Sequence, residues 1–127
     1  MTPQQLKKLD DILLLVLGNL SQFNQLKQLT IPMSVSEEKV WLSDVNSYGM
    51  LTFKTMSGQE LKVKFQDLAE KDRATLARLL AASKPDSHQA QAIASLYLAH
   101  IGELKLAKDY LDKSGVANAR KLVELIQ

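Results

Sequence analysis

The sequence of 127 residues contains no cysteine, which excludes disulfides, thiolate metal sites and cysteine nucleophiles. This absence fits a reducing compartment, so we expect a cytoplasmic protein. The longest uninterrupted apolar run, Ile12 to Leu17, is far shorter than the roughly 20 residues that cross a bilayer. A signal peptide is not predicted, because Asp10 and Asp11 precede this run and the cleavage site after it is poor.

A strong excess of charge of one sign is also missing. The formal net charge is only +2, which does not by itself suggest a nucleic-acid partner. Hydrophobic residues make up 46% and charged residues 24% of the chain, as in ordinary soluble domains. The length allows one ordinary domain, or one small domain with an extra helical arm.

Motifs that specify a reaction are absent as well. We find no Gly-rich phosphate loop, H-E-x-x-H sequence or nucleophile elbow. His88 and His100 lie in one predicted helix about 18 Å apart, so they cannot share a metal ion. We interpret the acidic pairs, such as Asp10 with Asp11 and Glu70 with Asp72, as helix starts and solvated turns. The sequence therefore predicts no catalytic residue, metal ligand or cofactor.

The first predicted helix carries a broad apolar stripe. It begins near Pro3, where Thr2 can cap it and Gln5 can return a hydrogen bond. We interpret residues 1–30 as an N-terminal helical arm that packs on its own domain or forms a coiled-coil or dimer face. Gly18 with Asn19 could break the helix, and the pattern leaves this open. The stripe contains Leu6, Leu9, Leu13, Val16, Leu20 and Phe23, and it is widened by Ile12, Leu14, Leu15 and Leu17.

After a Ser-rich connection over residues 29–38, the apolar period changes from 3.6 to 2. Residues 39–65 predict a three-stranded antiparallel meander with strands over 39–45, 50–55 and 60–65. Facing residues must share a face, so Phe53 should oppose Leu61 and Lys54 should oppose Glu60. This register leaves a three-residue loop that ends at Gly58, where a left-handed residue is expected. The predicted buried face contains Leu42, Leu51, Phe53, Leu61, Val63 and Phe65.

Helices should cover this sheet, because a small sheet is not stable alone. A capping box over Asp67-Leu68-Ala69-Glu70 predicts a helix that reaches about Ser83. Asp86 or Ser87 can cap the next helix, and a last helix is expected from Val116 to Ile126 after Gly115. Residues 39–127 thus form a small α+β domain, with the meander over 39–65 and a helical part over 68–127.

From Ser87 to Ser114 the sequence predicts two short helices with Gly102 at the turn between them. Small and apolar residues flank this turn at Ser95, Leu98, Leu104, Ala107, Leu111 and Ser114. At these positions the stretch resembles one tetratricopeptide repeat. The resemblance implies that Ala107 packs tightly against Ser95. The sequence departs from the family at Gln91, where a large aromatic is usual, at Ala119, where proline is usual, and in having a single copy. The layout also looks like accessory regions of large bacterial multidomain proteins, some of which carry kinase domains.

Two surfaces are candidates for binding. The arm, through Leu6, Leu9, Leu13, Val16, Leu20 and Phe23, could meet a protein partner or a second copy. Lysines 39, 54, 62 and 64 could form a basic outer sheet face that meets phosphates, although a solvated face is the commoner use of such residues. Trp41 has the opposite phase to Leu42, so it lies on the outer face or against the arm, as structure or as a contact residue.

The sequence therefore predicts an α+β fold with an N-terminal helical arm, a three-stranded antiparallel meander and a C-terminal helical bundle containing one tetratricopeptide-like hairpin. We expect a non-catalytic protein-interaction or scaffold module, part of a longer protein, that binds a partner or itself through the N-terminal helix. The alternatives are a weak nucleic-acid-binding module that uses Lys39, Lys54, Lys62 and Lys64 and, third, a small enzyme.

Overall fold

The computed structural model describes residues 1–22, 32–34 and 36–127, and these residues form an α+β fold with five α-helices and a three-stranded antiparallel sheet. Phe23 and residues 29–31 of the predicted connection lie outside the described residues. The predicted fold class is confirmed. In chain order the elements are α1 (Pro3–Gln22), β1 (Val40–Val45), β2 (Met50–Thr55), β3 (Glu60–Lys64), α2 (Glu70–Ser83), α3 (His88–His100), α4 (Leu104–Ser114) and α5 (Val116–Ile126).

The start of α1 forms the predicted reciprocal cap. The Gln5 backbone N–H donates to Thr2 Oγ1 at 3.1 Å, and the Thr2 backbone N–H donates to Gln5 Oε1 at 2.9 Å. The helix then continues through Gly18 to Gln22, so the possible break does not occur there. A continuous α1 packs against β1 and α5, which connects the N-terminal arm to both ends of the rest of the chain.

The meander has the predicted register. Phe53 opposes Leu61, and Lys54 opposes Glu60. On the other side of β2, Leu42 opposes Phe53, so the same face of all three strands turns to the core. A bulge at Ser43, whose hydroxyl donates to the Thr52 carbonyl at 3.0 Å, shifts the register at the end of β1. The apolar period of 2 thus predicts which residues face inward, but Leu61 and Val63 on β3 are half-buried and not fully buried.

Gly58 ends the β2–β3 loop with φ +93°, a left-handed conformation that side chains rarely adopt. Its N–H donates to the Thr55 carbonyl at 3.0 Å, which closes the turn. We expect Gly58→Val to lower the free energy of unfolding by about 1–3 kcal/mol because valine would be strained there. Gly18→Ala is the control, since a Cβ at this helical site meets open space and should add about 0.5–1 kcal/mol. Urea unfolding measures the free energy of unfolding of both variants. An unchanged value in Gly58→Val would contradict the expected strain.

The predicted capping box before α2 is wrong. Phe65–Asp67 forms a 3-10 turn, and the helix begins at Glu70 with Ala69 at its N-cap and no side-chain cap. Phe65 and Leu68 are 2% and 3% exposed, and burying both residues holds the turn against the core. Side-chain packing therefore outweighs the local capping signal here. Before α3 the expected cap does form, because Ser87 Oγ accepts from the Ala90 N–H at 3.1 Å.

Helix α3 lies at the centre of the helical part. It packs against α2, α4 and α5, and eight of its residues are buried. The alanines at 90, 92 and 94 allow neighbouring helices to approach closely. At its C-terminal end, Tyr97 is 1% exposed and reaches α1. The core of the sheet and the core of the helices are therefore continuous.

Candidate functional site

The apolar stripe of α1 lies mainly inside the protein. Its buried members share one core with the sheet and the C-terminal helices. Fully or almost fully buried are Leu9, Leu13, Leu17 and Leu20, whereas Leu6 and Val16 are half-buried. Leu15 stays 69% exposed. The apolar surface of α1, on which the predicted association depends, is thus largely covered by the rest of the chain. Association through α1 stays a prediction.

Trp41 lies on the outer face of the sheet, directly opposite Lys54. The β2–β3 pairing brings Lys62 opposite Thr52, and Lys64 follows two residues along the same face. Trp41 is half-buried, and Lys62 and Lys64 are exposed. This arrangement settles the phase of Trp41 and joins it to three of the predicted lysines. We call Trp41, Lys54, Lys62 and Lys64 the outer sheet face.

Acidic residues accompany these lysines. Glu60 opposes Lys54 and Asp44 opposes Thr52 across the two strand pairs. Lys39, the fourth predicted lysine, is exposed just before β1. The mixture of charges weakens the positive potential of the outer sheet face.

Both histidines have contacts within the chain. His88 Nδ1 lies 3.1 Å from the Ser114 carbonyl oxygen, which ties the start of α3 to the end of α4. His100 Nε2 lies 3.2 Å from Glu70 Oε2, without the alignment of a hydrogen bond. In the described ranges no group of three or more histidine, aspartate or glutamate side chains is arranged to hold a metal ion.

Asp72 lies in the first turn of α2, as the helix-start interpretation of its acidic pair predicts, but it is buried and not solvated. Asp72 is only 1% exposed. Its Oδ1 accepts a hydrogen bond from the Ser34 backbone N–H at 3.2 Å. Oδ2 accepts from the Ser34 hydroxyl. A buried carboxylate needs such partners, because an unpaired one is costly. Asp72 therefore fastens the segment before β1 to α2.

Asp10 is also a structural carboxylate. Tyr97 Oη donates to Asp10 Oδ1 at 2.5 Å, and Arg73 Nη1 lies 3.0 Å from Asp10 Oδ2. The second guanidinium nitrogen of Arg73 donates to the Gln66 carbonyl at 3.0 Å, and the guanidinium lies 5.5 Å from the centre of the Phe65 ring. The cluster joins α1, α2, α3 and the 3-10 turn. Sequence reasoning missed it because its members are far apart along the chain.

Burial raises the pKa of Asp10 above its ordinary value of 3.8, and the hydrogen bond from Tyr97 and the charge of Arg73 lower it by less. Burial, and next the hydrogen bond to Asp10, raise the pKa of Tyr97. Tyr97 therefore stays a neutral donor. The contacts of Asp10 with Arg73 and Tyr97 join α1, α2 and α3, so the cluster has a structural role.

A pH dependence follows from the raised pKa of Asp10. The folded state holds this proton more tightly, so the stabilising contribution is complete below about pH 4 and is lost as the pH rises through the folded pKa. Asp10→Asn removes this titration. We expect the free energy of unfolding of the wild type, relative to the variant, to fall as the pH rises above about 4 and through the raised pKa of folded Asp10. Urea unfolding at several pH values checks this, and a constant difference would contradict it.

An apolar groove opens at the C-terminal end of the protein. Its volume is about 500 Å³, and α3, α4 and α5 all contribute side chains to it. Leu104 on α4 is 68% exposed and Val116 on α5 is 62% exposed. We call this site the C-terminal groove. It is lined by Ser95, Leu96, Ala99, Leu104, Ala107, Lys108, Leu111, Val116, Ala119, Arg120 and Val123.

The α4 and α5 sides of this groove carry the same residue pattern. Each helix contributes an apolar residue, an alanine, a cation and a second apolar residue at i, i+3, i+4 and i+7, the spacing of one helix face. On α4 these are Leu104, Ala107, Lys108 and Leu111, and on α5 they are Val116, Ala119, Arg120 and Val123. Aligning the two segments twelve residues apart would have revealed this signal in the sequence.

The floor of the groove shows the expected close contact between α3 and α4. Ala107 is 5% exposed, and its carbonyl accepts from Ser95 Oγ at 2.8 Å. Gln91 instead points toward the end of α2, where Nε2 donates to the carbonyls of Ala81 and Lys84 at 3.1 and 3.3 Å. Gln91 thus caps the C-terminal end of α2, which explains why a polar residue occupies this buried position.

Comparison with family models, curated proteins and solved structures gave no match to this chain. The resemblance of α3 and α4 to a tetratricopeptide repeat therefore stays a prediction. Among the helices of the described ranges, none combines the length and the hydropathy needed to span a membrane.

Proposed function

We propose that the protein is a non-catalytic protein-interaction module and that the C-terminal groove binds an amphipathic helix of a partner protein. The observation that carries this proposal is the exposure of Leu104 on α4 and Val116 on α5, 68% and 62%, two residues that line the same groove. Large apolar side chains that border a shared groove are typical of interaction sites. This surface replaces α1 as the main candidate, because most of the α1 stripe is already buried.

The shape of the groove favours a helix as its occupant. Alanines 99, 107 and 119 line it and leave room for close approach, while larger apolar residues stand at the ends of each pattern. A helix places its own apolar residues at i, i+3, i+4 and i+7 and can contact both sides with one stripe. Lys108 and Arg120 also line the groove, so a basic segment would be repelled.

The test uses a fluorescein-labelled helical peptide of about 18 residues with a leucine stripe and glutamine on its other faces. Fluorescence anisotropy with the intact chain should show saturable binding. Leu104→Gln with Val116→Gln should weaken it at least about tenfold, because two apolar contacts are lost. Both residues are exposed, so the variant should stay folded by circular dichroism.

The matched control is Leu15→Gln with Leu125→Gln. These two leucines are 69% and 65% exposed but do not line the C-terminal groove. This variant should bind the peptide as the wild type does. No binding by the wild type, or equal losses in both double variants, would refute the proposed function.

A second function is favoured by the position of Trp41. On the outer sheet face it is a possible stacking residue opposite Lys54, and single-stranded nucleic acids bind surfaces that combine aromatic stacking with phosphate contacts. Glu60 opposes the same lysine, which ranks this function second. A labelled oligothymidine should then bind with an affinity that falls steeply between about 50 and 200 mM salt and that decreases in Trp41→Ala. Absence of such binding would remove this candidate.

A further inference from the structure

We infer that the C-terminal groove selects helices that carry carboxylates along both edges of their apolar stripe. This inference rests on the proposed function and names the chemistry of the partner. Its basis is the repeated pattern of α4 and α5, in which a cation occupies the same position on each side, Lys108 on α4 and Arg120 on α5. A helix seated between them would meet one positive charge at each edge.

The two cations are available to a partner. Both side chains are exposed, and within the described part of the chain neither forms an ion pair with a carboxylate. The groove is lined by Lys108 and Arg120 and by no acidic residue. Its lining is therefore apolar with two positive charges.

The nearest acidic residues of these helices lie off the groove. Asp112 and Glu124 each follow the cation of their own helix by four residues, a spacing at which helical side chains can pair. Neither residue lines the groove. A carboxylate of the partner would compete for each cation from the groove side, where the apolar contacts hold the helix in place.

Charge in this arrangement acts mainly on selectivity. Exposed ion pairs contribute little to affinity individually, whereas complementary charges determine which partners are rejected and how fast the right one associates. The apolar residues of the groove would then provide most of the binding, and Lys108 and Arg120 would set the preference among amphipathic helices. An acidic helix should bind best, a neutral helix less well and a basic helix least.

The test compares three labelled peptides of about 18 residues that share one leucine stripe and differ only at its edges, which carry glutamate, glutamine or lysine. With the intact chain at about 0.15 M salt, the glutamate peptide should bind roughly five- to tenfold more tightly than the glutamine peptide. The lysine peptide should bind most weakly. Lys108→Glu with Arg120→Glu should reverse this order.

The charge-matched control is Lys105→Glu with Lys121→Glu. These lysines are exposed on the same two helices and do not line the groove, so this variant should keep the order of the wild type. Equal affinities for all three peptides, with binding still lost in Leu104→Gln with Val116→Gln, would overturn the charge selection and leave the proposed function intact. An equal reversal in the control would overturn the assignment to Lys108 and Arg120. No binding of any peptide would refute the proposed function itself.

Discussion

Leu13→Glu should unfold the domain at 25 °C. Leu13 is 0% exposed and packs in the core that joins α1 to the sheet and the C-terminal helices. The substitution removes a buried side chain and introduces a carboxylate with no partner, and together these changes should cost more than about 4 kcal/mol. A loss of this size is enough to unfold a domain whose stability lies near the lower end of the usual range of about 5–15 kcal/mol. Loss of the cooperative thermal transition, followed by circular dichroism, checks the expectation.

Leu15→Glu is the matched control on the same helix. Leu15 is 69% exposed, so a glutamate there should change the free energy of unfolding by less than about 0.5 kcal/mol. Sedimentation of the wild type and of both variants separates the two interpretations of α1. A wild-type dimer that becomes a folded monomer in Leu13→Glu would show that Leu13 serves association and would contradict its role in the core.

The hairpin could be predicted from the sequence because its signals are local. Phe53 and Leu61 are eight residues apart, and the period of 2 allows one register that turns both inward. Gly58 independently marks the loop position that needs a positive φ. Two local signals that agree leave few alternatives, and the observed pairing matches them.

Local signals left the break at Gly18 open and misplaced the cap of α2, because packing decides both outcomes. A glycine weakens a helix by only about 1 kcal/mol, and the burial of Leu17 and Leu20 on either side of Gly18 outweighs that cost. Likewise, Asp67 is excluded from a helix N-cap by the 3-10 turn that ends with it. Neither the continuity of α1 at Gly18 nor the absence of a cap at Asp67 can be predicted from residues that are adjacent in the sequence.

The candidate sites differ in the same way. The pattern shared by α4 and α5 is local and could have been found by aligning Leu104–Leu111 with Val116–Val123. The contact between Asp10 and Tyr97 joins residues 87 positions apart, and no periodicity predicts such a pair. Its detection needs the path of the whole chain, so a helix start or a solvated turn is all that the sequence predicts for the acidic pair of Asp10 and Asp11.

Asp10→Ala should lower the free energy of unfolding by about 2–4 kcal/mol. The substitution leaves Tyr97 Oη and Arg73 Nη1 without their carboxylate partner, and removing one member of a buried ion pair is costly because the other charge remains. The side chains of Arg73 and Asp10 are 14% and 15% exposed. Some contact with water therefore holds the loss below that of a fully buried pair. Urea unfolding at pH 7 measures it.

Asp11→Ala provides the control, since Asp11 is the exposed neighbour of Asp10 and should change stability by less than about 0.5 kcal/mol. Adding Arg73→Met to Asp10→Ala should recover part of the lost free energy of unfolding. Methionine removes the unpaired positive charge and replaces the apolar part of the arginine side chain. The double-mutant cycle should accordingly give a coupling of at least about 1 kcal/mol. Additive losses would contradict an ion pair between these residues and would leave the hydrogen bond from Tyr97 as the main contact of Asp10.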